Sequence, residues 1–134
     1  MVTVVVRGRI PGREGLGEIQ LDVAPGLTAR DLIASAVATQ LSDEGQDWTD
    51  YARLYLTDQE ITAMAAEGVV RVLPRNRPPR PSVDLAVERA LKSFERRRFV
   101  MFVGTTQVSG LDDNLALRDG DRVVFVRLTA LAGG

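Results

Sequence analysis

Few of the 134 residues can do covalent chemistry. The chain has no cysteine and no histidine. Disulfides, thiolate metal sites and Ser-His or Cys-His catalysis therefore lose their parts. Of the 17 basic residues only Lys92 is a lysine, so Lys92 and the Met1 amine are the only primary amines. Such an arginine excess is what GC-rich codon usage produces, and it also suits a surface kept clear of lysine-directed chemistry. Asp119 and Asp121 stand one residue apart in "LRDGDRVV". A metal pair and a turn both use that spacing. The turn is favoured, because aspartate bonds its own backbone and Gly120 supplies the bend. "RRR", Arg96 to Arg98, is read as complementing the dipole at a helix end rather than as a nucleic-acid patch. What remains is the stretch "RLTALAGG", Arg127 to Gly134. Glycine lacks a Cβ, so its backbone can be approached closely and adopts any φ and ψ. Gly133 and Gly134 thus make a thin, pliable end instead of a capped helix.

Composition sets the frame for these residues. Hydrophobic residues are 45% and charged residues 26%, enough for one sizeable core in one domain-sized chain. The net charge of -1 offers no basic field for nucleic acid. Apolar runs are too short to span a membrane. Met1 leads straight into a strand-like run without the charged and apolar parts of a signal segment. The expected location is cytoplasmic.

Elements that would position the end are legible along the chain. "VTVVV", Val2 to Val6, is β-branched and reads as a strand. "IPGREGLG" turns, and "EIQLDV", Glu18 to Val23, alternates as a half-buried strand does. Thr28 caps a helix whose Leu32, Ile33, Ala36, Val37, Gln40 and Leu41 share one face, apolar except for Gln40. "SDEGQDWTD" is polar and reads as a loop, with Trp48 and Tyr51 in a satellite cluster beneath it. "TDQE" from Thr57 opens a short helix that Gly68 stops, and "VVRVLP" suits a short strand. "PRNRPPRP", Pro74 to Pro81, is a semi-rigid strap. Ser82 caps a helix with Leu85, Ala86, Arg89, Ala90 and Phe94 on one face. "FVMFVG" and "RVVFVRL" are strands, separated by turns at Ser109-Gly110 and Asp119-Gly120.

Residues 1–42 plus 98–134 therefore spell ββαββ, interrupted by an excursion over 43–97. Such a pattern packs as a mixed sheet with the helix across one face, an α+β arrangement with its first and last strands paired in the middle. The three apolar runs do not alternate, which predicts strands covered on both faces, by the excursion or by another chain.

The stretch "GTTQVSGLDDNLALRDGDRVVFVRLTALAGG" resembles the last third of ubiquitin-like β-grasp proteins. "LRDGDRVVFV", Leu117 to Val126, is similar to the Leu-x-Asp-Gly-Asp turn before the last strand of the prokaryotic sulfur carriers of molybdopterin and thiamine synthesis, which also end in Gly-Gly. The resemblance covers residues 1–42 and 98–134. It implies a ubiquitin-like β-grasp with a partly helical insertion between the helix and the third strand. That insertion departs from ubiquitin and the simple carriers and suits the bacterial ubiquitin-like conjugation systems better.

The resemblance implies a protein substrate rather than an enzyme. The Gly134 carboxylate would be adenylated by a ubiquitin-activating-like enzyme, with ATP consumed by that partner and no cofactor or metal held by this chain. Leu128, Thr129, Ala130, Leu131 and Ala132, within the flexible tail 128–134, would line the partner's channel. A conjugating enzyme, target proteins and a metalloprotease complete the expected partners, with nucleic acid and membrane excluded. Lys92 would be the self-acceptor for chains. The alternatives are a sulfur carrier bearing a terminal thiocarboxylate and a non-covalent, self-assembling β-grasp adaptor. Residues 42–67 hold seven acids against one arginine, whereas 71–98 hold nine bases against three acids. A head-to-tail homo-oligomer is expected from that polarity, with Arg75, Arg77 and Arg80 at the contact.

Overall fold

The computed structural model describes residues 1–11, 18–42, 48–56 and 82–128. The chain orders its elements as β1 (Val2–Arg9), β2 (Glu18–Val23), α1 (Ala29–Ser42), α2 (Trp48–Tyr55), α3 (Val83–Glu95), β3 (Phe99–Val103), β4 (Thr106–Gln107) and β5 (Arg122–Arg127). The fold is α+β, with a five-stranded mixed sheet in the order β2-β1-β5-β3-β4. β1 and β2 form the expected antiparallel pair, and β1 lies parallel to β5 in the middle. β5 in turn pairs antiparallel with β3. The short strand β4 goes beyond the ββαββ reading. Gly104 takes φ 61, a left-handed backbone that glycine adopts without a Cβ penalty, and so closes a hairpin between β3 and β4.

Caps delimit the helices as their sequences predict. The Asp31 N–H donates to Thr28 Oγ1 at 3.3 Å, and the Leu85 N–H to Ser82 Oγ at 3.2 Å. On α1 the buried face is Leu32, Ile33, Ala36, Val37, Gln40 and Leu41, joined by Ala29. On α3 it is Ala86, Ala90, Ser93 and Phe94, so Ser93 enters the interior while Arg89 stays half-buried.

One core joins the sheet to all three helices. Phe99 sits at its centre, with ring centroids 5.2 Å from Tyr55, 5.6 Å from Phe94 and 5.6 Å from Phe125. Here two expectations are corrected. Tyr51, only 2% exposed, belongs to this core with Leu54, Tyr55 and Leu56, not to a satellite cluster, because 48–55 is a helix and no loop. The apolar strands also do alternate in burial. Val4, Val6, Phe99, Met101, Val123 and Phe125 are buried, while Val5, Val100, Phe102, Val124 and Val126 are half-buried on the opposite face. Within one copy the second face is thus only half-covered. The helix at 57–68, the strand at "VVRVLP" and the strap at 74–81 lie outside the described residues.

Gln40, the one polar residue on the face of α1, is 2% exposed and has a partner inside. The Tyr55 hydroxyl donates to Gln40 Oε1 at 2.7 Å, and the Ser93 hydroxyl donates to the Tyr55 carbonyl. Three helices are thereby tied through satisfied polar groups, the form in which an interior tolerates them. Burial pushes the Tyr55 hydroxyl far above its ordinary range. The folded state keeps this proton, whereas an unfolded tyrosine loses it near pH 10. Below about pH 10 the group leaves stability unchanged; above it, stability falls by up to about 1.4 kcal/mol per pH unit. Urea unfolding from about pH 8 to 11 is expected to show this alkaline loss. Tyr55→Phe is expected to reduce that slope and to cost about 1–3 kcal/mol near pH 8, because Gln40 keeps a buried acceptor without its donor.

Candidate functional site at the end of the last strand

The site begins with the turn that launches β5. Asp119 Oδ1 accepts from the Thr3 N–H at 2.7 Å, and the Gly120 N–H donates to the Thr3 carbonyl at 2.8 Å. The Asp121 carbonyl accepts from the Val5 N–H at 3.0 Å, while Asp121 Oδ2 accepts from the Arg118 N–H at 2.9 Å. Both carboxylates are thus engaged by backbone donors, Asp121 within the turn as expected and Asp119 across to β1. The turn grips β1 and sets β5 in parallel register, Val6 beside Val123.

β5 then runs to Arg127, paired with Phe99 at the start of β3. The Leu128 N–H donates to the Arg98 carbonyl at 2.8 Å, prolonging the β3–β5 ladder by one step. Leu128 is 43% exposed. It lines a cleft of about 580 Å³ with Arg30, Phe94, Arg97, Val108 and Leu111. Arg30 Nη2 lies 3.5 Å from Asp112 Oδ1 across this cleft. The Asp113 carboxylate holds the facing loop by accepting from the Ser109 and Gly110 N–H groups at 3.2 and 3.0 Å.

The three arginines stand one step farther out than the last helical turn, where the basic residue is Lys92. Arg96 is the C-cap of α3, the Arg97 N–H donates to the Phe94 carbonyl, and the Arg98 N–H to that of Ser93. That double bond pattern places its left-handed residue where glycine is usual, yet Arg97 occupies it with φ 59. Arg97 therefore comes to the cleft by way of an unfavourable backbone. Sequence reasoning missed the cleft. Its walls come from separate parts of the chain that no local pattern links.

Of the expected site residues, the structure describes Leu128 and Lys92. Lys92 lies on α3 with its side chain 54% exposed and its Nζ 3.3 Å from Glu88 Oε1. Thr129, Ala130, Leu131, Ala132, Gly133 and Gly134 lie outside the described residues, as do Arg75, Arg77 and Arg80. Among the described residues no three His, Cys, Asp or Glu side chains gather as a metal site would need. No helix among them is long and apolar enough to cross a membrane.

Gly120 takes φ 83, and a Cβ there would meet nothing within 4 Å. Replacing it by alanine isolates the backbone term. Gly120→Ala is expected to cost about 1–2 kcal/mol of stability in urea unfolding, through left-handed strain alone.

Comparison of the chain with protein-family models, with curated protein sequences and with solved structures finds no match in any of the three.

Proposed function

We propose that this chain is a bacterial ubiquitin-like modifier built on a β-grasp, and that the Gly134 carboxylate is its reacting group. What supports the reading is the placement of β5: the central strand, pinned at its start by Asp119-Gly120-Asp121, hands an exposed Leu128 outward ahead of "TALAGG". A strand held at its root with a narrow end suits threading into a partner's active site. In the proposed reaction the carboxylate attacks the α-phosphate of ATP on the activating enzyme, giving an acyl-adenylate and pyrophosphate. A cysteine thiolate of the partner displaces AMP to form a thioester, and a target amine displaces that thiol to form an amide. This chain contributes the carboxylate and the fit. The partner supplies the nucleotide and the nucleophile.

The test uses the full chain with a cognate activating enzyme and ATP. An adduct is expected on a non-reducing gel, lost on reduction, and abolished by deleting Gly134 while circular dichroism stays unchanged. An adduct that survives the deletion overturns the proposal. Intact mass of the protein taken from its own cells adds a second readout. A chain that continues past Gly134 without processing also overturns it, and a terminal oxygen replaced by sulfur identifies a sulfur carrier instead.

Amide-linked chains of the modifier have few acceptors. Lys92 projects from α3 more than half exposed, so Lys92→Arg is expected to remove isopeptide-linked chains and leave single adducts on other targets. Peptide mapping of the conjugates checks this, and linkage found on serine or threonine would indicate an ester chemistry.

A further inference from the structure

The outer face of the sheet carries a defined block of side chains. Strand register sets Val124 beside Phe102 and Val126 beside Val100, four apolar residues in a two-by-two patch, all half-buried. On the β1 side the same register sets Arg7 beside Val124 and Arg9 beside Val126, with Arg122 one step along β5 beside Val5. Arg7 shares its charge with Glu18 at 3.8 Å. Arg9 and Arg122 are exposed, so the frame of the patch is net cationic.

The opposite side of the molecule carries a counterpart. The buried faces of α1 and α3 point toward the core, and their other flanks meet in an open groove of about 550 Å³. Ala34, Ala38, Val83, Val87 and Leu91 line it, with Asp84 and Glu88 at its margin. Val83 is 44% exposed, unusual for so apolar a side chain. Lys92 offsets Glu88 at 3.3 Å, so the acidic margin exceeds its one base by a single charge.

We propose that the arginine-framed sheet face of one copy seats on the α1/α3 groove of a second copy, so that the protein stacks head to tail. Apolar centre meets apolar centre, and the cationic frame meets the acidic margin, which fixes the orientation. A sheet seated in this way has helices on both faces, its own and its neighbour's. That is the environment suited to the unbroken apolar runs "VTVVV", "FVMFV" and "VVFV". The two surfaces differ and lie on opposite sides, so the contact is heterologous and does not close at two subunits. The inference stands on these two faces and is independent of any activation of Gly134.

Two variants of the full chain test it: Phe102→Glu blocks the sheet face and Val83→Arg blocks the groove. In low salt, sedimentation velocity of the wild type is expected to show a weight-average mass that rises with concentration and falls when salt is added. Each variant alone is expected to be monomeric. Their equimolar mixture is expected to give a discrete one-to-one dimer, because each retains the surface that the other lacks. Circular dichroism checks folding, and Arg122→Glu replaces Phe102→Glu if that variant fails to fold. A wild type that stays monomeric across the range overturns the proposal. So does a mixture that remains monomeric, or a dimer formed by either variant alone.

Discussion

The structure hangs on the parallel pairing of β1 with β5. Parallel neighbours cannot be joined by a tight turn, so the chain between them must travel out and back. Among the described residues the route holds every other element: the hairpin partner, three helices and the β3–β4 hairpin. What closes the route is the turn at 119–121, whose carboxylate and backbone groups reach Thr3 and Val5 across most of the sequence. Because the turn grips β1 as well as bonding within itself, the start of β5 is fixed and its end is aimed.

The helical layer answers a different requirement. One helix across the sheet leaves room over β3 and β5, and α2 and α3 fill it with Tyr51, Tyr55, Ala90 and Phe94. The excursion is thus no appendage where it is described; its two helices complete the interior around Phe99. The polar chain from Gln40 through Tyr55 to Ser93 sets how these helices align, since an apolar interface alone tolerates sliding.

Much of this was legible in the residues, for identifiable reasons. Helix caps and strand runs are local, and Thr28, Ser82 and the β-branched segments announce them within a few residues. The grip of the Asp-Gly-Asp turn on Thr3 reaches another strand, but its bend is local and was readable. The partners of Gln40 were not, because the Tyr55 hydroxyl comes from another helix and no local pattern links them. Residues 48–56 misled for a related reason: a polar, acidic lead-in hid a short amphipathic helix whose apolar positions matter only once β3 and β5 lie beneath it. Runs such as "VVFV" exceed what one copy buries, since Val124 and Val126 are only half-buried within it. The cleft beside Leu128 was illegible, since its walls come from α1, α3, β3 and the loop at 107–112.

The pairing of the first strand with the last also has a consequence for synthesis. A chain leaves the ribosome from its N-terminus, so β1 emerges well before β5, its central neighbour. Until residues 122–127 are made, the "VTVVV" strand has β2 on one side and an open edge on the other. An open apolar edge is a template for pairing with any passing strand. The nascent chain must therefore keep that edge exposed while every element between β1 and β5 is made, and the sheet closes only when β5 arrives.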